Sequence, residues 1–267
     1  MLKNIMVSGR TINKEHHYRM PITLSNTSGK GNFTLVNNTN KSNLAISAAV
    51  GSIITTGLML YLDAGNVSSY PGSGTAWTDL SGNSRDGTLT NGPTYSATNG
   101  GSIVFDGTND FVQCLGSVTV TAATFVSWVR RNGSQGPYDG ILFSRGTNTT
   151  GMNFQVSNQL GYHWNDAGNT YNWQSGLTIP DLTWCMIAIS VTNTAATAYI
   201  CQTSGITTAT NTVGHASSLL NDIKLAQDDA GSRFFNGNIA IAQLYNTALS
   251  LSDITTNFNA QKSRFGV

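Results

Sequence analysis

The segment Thr124–Arg130, with the sequence TFVSWVR, decides the fold class of this chain. Its side chains alternate with a period of two residues, as those of a half-buried β-strand do. Further short apolar segments follow the same plan, including Leu58–Leu62, Ser102–Phe105 and Ile239–Tyr245. Turn-forming Gly, Asn, Ser and Thr residues separate them. Many short strands with such turns indicate a sandwich or a barrel.

Two hairpins are visible in the same pattern. Met152–Val156 and Gln159–Trp164 face each other across the dipeptide Ser157-Asn158, which has the length of a two-residue hairpin loop. Trp184–Val191 and Ala198–Gln202 form a second pair. Trp128 and Trp184 lie within strands, and we expect both in the core.

One helix is predicted near the end of the chain. Ser250 and Asp253 match a capping box, in which the two side chains satisfy free backbone N–H groups reciprocally. The helix should run from about Leu251 to Ala260. Ile254 and Phe258, four residues apart, would give it one apolar stripe.

The composition also favours β structure and limits the function. Only 10% of the residues are charged, against about 25% in a typical protein, and Thr, Ser, Asn and Gly supply the polarity instead. Of the 13 acidic residues only Glu15 is a glutamate, whereas helical surfaces are usually rich in Glu. The net charge is +1 without a basic stripe. Nucleic-acid binding, which needs clustered cations, is therefore not expected.

The three cysteines, Cys114, Cys185 and Cys201, have neither the even number nor the short spacing of a disulfide framework or a zinc site. We expect them to be small buried residues. The uncharged stretch Leu44–Leu62 is long enough to raise the question of a membrane helix. Its many Ser, Thr and Gly residues argue against one, and no secretory signal is visible in Met1–Arg10.

The first part of the chain differs from the rest. It contains Glu15 and the highest density of Lys and Arg, and Asn37–Asn43 within it has the composition of a polar turn or linker. We expect residues 1–56 to form an extended arm or a small β element for anchoring and assembly. Residues 57–267 would form the sandwich.

Four motifs in order carry a resemblance to a known family. They are WTDLSGN at Trp77–Asn83 with DGTL at Asp86–Leu89, IVFDG at Ile103–Gly107 with Asp110–Val112, FVSWV at Phe125–Val129, and the closing Phe235–Ser250. Over Gly57–Val267 the chain resembles laminin-G-like, concanavalin A-like domains. The resemblance implies an all-β fold: a two-sheet antiparallel jelly-roll sandwich with an N-terminal arm and one short C-terminal helix.

The ending Asn257–Gly266 is similar to that of tailed-phage virion proteins with this domain. This resemblance implies a virion structural protein of the capsid-decoration, head-fibre or tail-adhesin type. It would be exposed on the particle surface, with an outward-facing lectin-like domain for host-surface glycans. Residues 1–56 would contact other virion proteins or sister chains. The alternative is a stand-alone carbohydrate-binding lectin, and a glycan hydrolase is the third hypothesis.

Catalysis is not expected, because glycosidases need two carboxylates that flank the scissile bond. The Glu-x-Asp-x-Glu type of strand found in concanavalin A-like glucanases is missing here. Asp228 and Asp229 are the only adjacent acidic pair, and we expect them in a loop. His163 and His215 are expected on the surface, with no nucleophile motif beside them.

A glycan site is predicted where aromatic side chains alternate with amides and a carboxylate, because flat rings and planar polar groups suit sugar rings. The candidate residues are Tyr162, Trp164, Asn165, Asp166, Tyr171 and Trp173. For the two tryptophans, burial in the sandwich core is an equally good interpretation.

A structural calcium ion is the one cofactor that the sequence suggests, since Ca²⁺ prefers carboxylate and carbonyl oxygens. The candidate ligands are Asp63, Asp79, Asp106 and Asp110. The favoured alternative is that these side chains make turns by bonding to nearby backbone. Ala240 and Ala242 stand where the resembling domains carry acidic residues, which also weakens the case for an ion.

Overall fold

The structure is a computed structural model that describes residues 33–35, 46–48 and 51–267 of the chain. Contacts divide the chain into two units, Met1–Val50 and Gly51–Val267. In the first unit, strand β1 (Phe33–Leu35) pairs antiparallel with β2 (Ile46–Ala48). The rest of the predicted arm up to residue 50 lies outside the described residues. Its anchoring role therefore stays a prediction.

The second unit begins earlier than the sequence predicts. The backbone N–H of Ile54 donates to Asn257 Oδ1 at 2.8 Å. The hydroxyl of Tyr245 donates to the Ile54 carbonyl at 3.0 Å. Because these bonds attach residue 54 to the sandwich, the predicted boundary after residue 56 lies too late in the chain.

The second unit consists of many short strands and few helices, as its turn-rich sequence indicates. Its helices are α1 (Gly168–Tyr171), α2 (Leu251–Gln261) and the 3₁₀ turns Thr98–Gly100, Val156–Asn158 and Lys262–Phe265. Its strands are β3 (Leu58–Asp63), β4 (Ala76–Trp77), β5 (Gly87–Thr90), β6 (Thr94–Ser96), β7 (Ser102–Asp106), β8 (Phe111–Cys114), β9 (Val118–Val120), β10 (Ala123–Arg131), β11 (Gly140–Arg145), β12 (Thr149–Gln155), β13 (Gln159–His163), β14 (Cys185–Val191), β15 (Ala196–Gln202), β16 (Gly205–Asn211), β17 (Ser218–Leu220), β18 (Ile223–Leu225), β19 (Gln227–Asp228), β20 (Arg233–Phe234) and β21 (Asn236–Tyr245).

Two large antiparallel sheets form the sandwich. The first sheet has the order β16-β15-β14-β10-β21-β7-β6, and β3 pairs with the other end of β21. The second sheet has the order β13-β12-β11-β18-β8-β5-β4. The predicted all-β, two-sheet antiparallel class is confirmed.

The main core lies between the sheets and is built from one side of each strand. Phe125 and Val129 on β10 point into it, as do Leu160 on β13 and Ile187 on β14. Side chains at every second position share a face of a strand. The intervening residues therefore point outwards, and this parity determines which residues can reach a ligand.

The outer face of the first sheet is covered by the C-terminal segment. Trp128 is fully buried there and stacks on Phe265 at 4.1 Å and on Phe258 at 5.7 Å between ring centroids. Its indole N–H donates to Gln261 Oε1 at 2.8 Å. Helix α2 starts with the predicted capping box of Ser250 and Asp253. Trp128 and Trp184 are buried as predicted, but in this outer apolar cluster and not between the two sheets.

Several local predictions are confirmed. The predicted hairpin forms, but its loop has three residues and not two, because Gln155 pairs with Gln159 and Val156–Asn158 make the connection. Ser157 and Asn158 in this loop have positive φ, 59° and 58°. All three cysteines are free and buried. Among the described residues, no helix is long and apolar enough to cross a membrane.

Candidate functional site

The outer face of the second sheet carries a row of three residues that brings aromatic rings together. Phe143 on β11, Gly151 on β12 and His163 on β13 are neighbours across the sheet. A Cβ atom at Gly151 would lie 2.6 Å from the Leu142 carbonyl oxygen and 2.8 Å from the Phe143 ring. Because Gly151 has no side chain, the rings of Phe143 and His163 lean over it, with centroids 5.0 Å apart.

Two tyrosines, one from the loop before β11 and one from the end of helix α1, complete an aromatic cluster around His163. The centroids of Tyr138 and Tyr171 lie 5.4 Å and 5.3 Å from the imidazole. His163 is 5% exposed, and burial lowers its pKa to about 4. The imidazole is therefore neutral near pH 7. Both tyrosines are half-buried, so part of each side chain faces solvent. We call Tyr138, Tyr171 and His163 the tyrosine platform.

A buried ion triad lies beside the tyrosine platform. The side chain of Asp228 is 0% exposed and accepts hydrogen bonds from Arg145, whose Nη2 lies 2.9 Å from Asp228 Oδ2. Arg233 Nη1 donates to the same oxygen at 2.8 Å. The Arg233 guanidinium also lies 4.8 Å from the centroid of Tyr138, a cation–π contact. The triad therefore orients one of the two tyrosines.

Three residues in the loops that carry this site have a left-handed backbone conformation. Tyr138, Asn165 and Asp166 have φ of +72°, +49° and +60°. A bulky residue such as tyrosine rarely adopts positive φ, and such strain persists only where the surrounding structure imposes it. Asp166 is exposed, and its two carboxylate oxygens lie 3.2 and 3.3 Å from the backbone N of Thr149. Arg145 Nη1 donates to the hydroxyl of the same Thr149 at 3.2 Å. The exposed carboxylate of Asp166 is thus held close to Arg145.

Asn153 is a polar side chain beneath this face that bonds to no other described residue. Asn153 on β12 is fully buried and points to the outer side of the second sheet, between Gly140 and Gly161 on the neighbouring strands. Neither its Nδ2 nor its Oδ1 makes a hydrogen bond within the protein. Unpaired buried polar groups cost free energy and are uncommon in native structures.

The prediction that Tyr162 and Trp164 stack on sugars is wrong. Each is 1% exposed and lies in the main core, on the same side of β13 as Leu160. The Tyr162 hydroxyl bonds His215 Nε2 at 2.9 Å, and the Trp164 indole donates to the Ala216 carbonyl at 2.6 Å. Their polar ends are satisfied inside the protein, so neither presents a free face.

The other predicted glycan residues fall into two places. Tyr171 is part of the tyrosine platform, and Asp166 is close enough to His163 to raise its pKa by charge. Asn165 precedes Asp166 in the same loop, and Trp173 is half-buried against Tyr162 at the edge of the core. Their role in binding stays a prediction. The expected surface positions of His163 and His215 are wrong, because both are buried.

Sequence reasoning missed Tyr138, Arg145 and Arg233 and assigned Asp228 to a loop. Tyr138 lies in a Gly-rich segment without periodicity, and the partners Arg145 and Asp228 are 83 residues apart. The alternation of side chains along a strand could have indicated that His163 lies on the outer face. Leu160, Tyr162 and Trp164 share one face of a strand, which leaves His163 on the other.

The four aspartates proposed as calcium ligands are engaged elsewhere. Asp79 Oδ1 accepts from the backbone N–H of Tyr61 at 2.8 Å, and Asp106 Oδ1 accepts from that of Thr108 at 2.7 Å, which lowers the pKa of Asp106. Asp110 Oδ2 accepts from the Asp106 N–H at 3.1 Å, and Asp63 pairs with Arg264. The four residues make turns and an ion pair. Within the described part of the chain no group of three or more acidic, His or Cys residues could hold a metal ion.

Comparison with known proteins identifies the family. A laminin G family model, described as the concanavalin A-like lectin/glucanases superfamily, matches residues 105–255, more than half of the 267 residues. The chain belongs to this superfamily. The resemblance found in its motifs is thereby confirmed, and the fold is lectin-like. No curated protein matches the sequence significantly.

Solved structures with the same fold include sugar-bound ones. Domain 4 of the arabinanase AbnA from Geobacillus stearothermophilus, in complex with arabinotriose, has a TM-score of 0.59 at 18% identity and covers 76% of this chain and 98% of its own. Trypanosoma rangeli sialidase in complex with sialic acid has a TM-score of 0.54 at 16% identity. Its match covers 78% of this chain, which spans only 33% of the sialidase. At these identities the likeness establishes the fold.

We expect a His163→Phe variant to lose part of the pH dependence of stability. The pKa of His163 is lowered from 6.5 to about 4 by burial. The unfolded state therefore binds the proton more readily between these values, and stability is lost as pH falls through this window. One pKa unit corresponds to about 1.4 kcal/mol, so the wild-type protein should lose about 3 kcal/mol relative to the variant between pH 7 and pH 4. Urea unfolding at each pH measures the difference.

Asp139 titrates in the same window with the opposite sign, because burial raises its pKa to about 6. Both proteins contain Asp139, so its contribution cancels in the comparison. Phenylalanine fits among the rings of Phe143, Tyr138 and Tyr171, which keeps the variant folded. Parallel pH profiles for the two proteins would contradict the buried neutral imidazole.

Proposed function

We propose that this chain is a virion structural protein of a tailed phage whose lectin-like domain binds glycans through the tyrosine platform. The observation that supports binding is the juxtaposition of two half-buried tyrosines, locked by His163 and Arg233, with the exposed carboxylate of Asp166. Ligand sites combine aromatic surface with a few fixed polar groups. Aromatic faces contact the C–H patches of sugars, and a carboxylate accepts hydrogen bonds from their hydroxyls.

Binding without hydrolysis is the activity that the charged groups favour. Residues 51–267 contain no glutamate. Asp228, the most deeply buried carboxylate near the platform, is fully buried, and both its oxygens accept from guanidinium groups. A carboxylate so occupied is a poor nucleophile or base. Asp139, the neighbouring acid with a raised pKa, accepts from the Gly136 N–H at 2.6 Å.

The virion assignment is supported by the sequence rather than by the site. The chain is Asn- and Thr-rich with few charges, it places a distinct segment before the sandwich, and its ending resembles those of tailed-phage virion proteins. In this proposal residues 1–56 contact other virion proteins or sister chains, and the sandwich faces host-surface glycans. Weak affinity at each site would be raised by the many copies on one particle. A stand-alone lectin is the alternative.

Glycan binding is tested by replacing Tyr138 and Tyr171 with alanine together. We expect the double variant to bind its glycan at least tenfold more weakly, because it loses both ring faces; tenfold corresponds to about 1.4 kcal/mol. A glycan array followed by calorimetry on the bound sugar measures the change. Asp166→Asn removes the charge but tolerates the positive φ and keeps an acceptor for the Thr149 N–H, so it should also weaken binding while leaving the loop intact.

Leu182→Ala is the matched control, because Leu182 is 53% exposed and lies outside the platform. It should bind as the wild type does. Unchanged affinity in both platform variants, with unchanged thermal unfolding, would rule the platform out.

The virion role is tested by removing residues 1–50, which form a separate unit. Phage particles assembled with the shortened chain should lack it, whereas the full chain should be found in purified particles by mass spectrometry. Equal incorporation of the two forms would contradict an anchoring arm. Absence of the full chain from particles would favour the stand-alone lectin.

A further inference from the structure

The outer edge of the first sheet is formed by a long strand without the usual protection. Strand β16 runs over seven residues with the sequence GITTATN and is largely exposed. It contains no charged residue and no proline, and residues 182–221 as a whole contain no Asp, Glu, Lys or Arg. Natural proteins usually protect edge strands with charges, prolines, bulges or short length, because the unpaired backbone groups recruit other strands.

The other edges of the two large sheets are protected. On the first sheet the opposite edge is β6, which has three residues and follows Pro93. On the second sheet β4 has only two residues. The other edge, β13, is covered: the Leu160 N–H donates to the Leu177 carbonyl at 2.8 Å, and Gln159 forms a bridge to Thr178. Strand β3, which pairs only with β21, is a further edge of the first sheet, and the segment after β4 covers it: the Leu80 N–H donates to the Tyr61 carbonyl at 2.8 Å, and the Tyr61 N–H donates to Asp79 Oδ1 at 2.8 Å. The protection is therefore missing from β16 alone among the five edges of the two large sheets.

The hairpin register identifies the free backbone groups of β16. Gln202 and Gly205 close a two-residue loop, and such loops are closed by a hydrogen-bonded pair. Hydrogen-bonded and non-hydrogen-bonded pairs alternate along antiparallel strands. Ile206, Thr208 and Thr210 consequently direct their N–H and C=O groups away from β15. Within residues 51–267 no backbone bond from another segment reaches β16.

We propose that β16 pairs antiparallel with β16 of a second copy of this chain, so that the first sheets of two molecules become continuous. Antiparallel pairing about a two-fold axis places like residues opposite or near each other. A strand without charges is suited to this, because like charges in opposed positions destabilise a sheet and Thr–Thr pairs stabilise it. Since the other described edges are protected, association stops at the dimer and does not continue into a fibre.

The proposal is tested with Thr208→Lys in the full chain. Thr208 is exposed and lies at the centre of the strand, so the change leaves the core intact and places two cations near the two-fold axis. We expect the wild type to sediment as a dimer and the variant to raise the dimer dissociation constant at least tenfold. Thr208→Pro, which removes one outward N–H, should act in the same direction. Analytical ultracentrifugation over a range of concentrations gives the constants.

Thr88→Lys is the matched control, because Thr88 is an exposed strand residue in β5, which is paired on both sides. It should dimerise as the wild type does. Hydrogen exchange distinguishes pairing with a second copy from cover by another part of the same chain. If a second copy pairs with β16, the amides of Ile206, Thr208 and Thr210 exchange more slowly as the protein concentration rises. A monomeric wild type, a Thr208→Lys variant that associates normally, or protection independent of concentration would each overturn the proposal. The last result would indicate that residues 1–50 of the same chain cover the edge.

Discussion

The buried carboxylate of Asp228 constrains the whole outer face of the second sheet. An ionised group without exposure must be paired, and breaking such a pair by removing one partner typically costs about 3–5 kcal/mol. Here two guanidinium groups supply the pairing, one from the end of β11 and one from β20. Arg233 continues the chain of contacts to the ring of Tyr138. Asp228 thus holds Arg233 in place, and Arg233 in turn holds the strained Tyr138 beside His163.

The outer faces of the two sheets differ because different segments of the chain cover them. The outer face of the first sheet is apolar at Val126, Trp128 and Met186, and the C-terminal helix and 3₁₀ turn bury it. The outer face of the second sheet carries His163, Arg145 and Asn153 instead, and loops and the short helix α1 lie over it. Protein packing therefore occupies the first face, while parts of Tyr138 and Tyr171 and the carboxylate of Asp166 remain accessible on the second. The proposed dimer edge lies on the covered sheet, so pairing and glycan binding use different parts of the molecule.

Local sequence patterns were sufficient for the architecture and insufficient for the site. The hairpin at Ser157-Asn158 and the capping box at Ser250 depend on residues within a few positions of each other, and both were predicted. The motif order identified the family. In contrast, Tyr162 and Trp164 were predicted to bind sugar because they are aromatic. They lie an even number of residues from Leu160, so their side chains point to the same face and enter the core. The triad of Arg145, Asp228 and Arg233 depends on strands that meet only in the folded chain.

A crystal structure of the protein with a bound oligosaccharide selected on a glycan array tests the central claim most directly. We expect a sugar ring in van der Waals contact with Tyr138 and Tyr171, with a hydroxyl bonded to Asp166 and the Asp228 triad unchanged. This expectation would be contradicted by a sugar bound elsewhere. The groove on the first sheet is one such place: a cavity of about 330 Å³ lined by Arg130, Trp184 and Asn238.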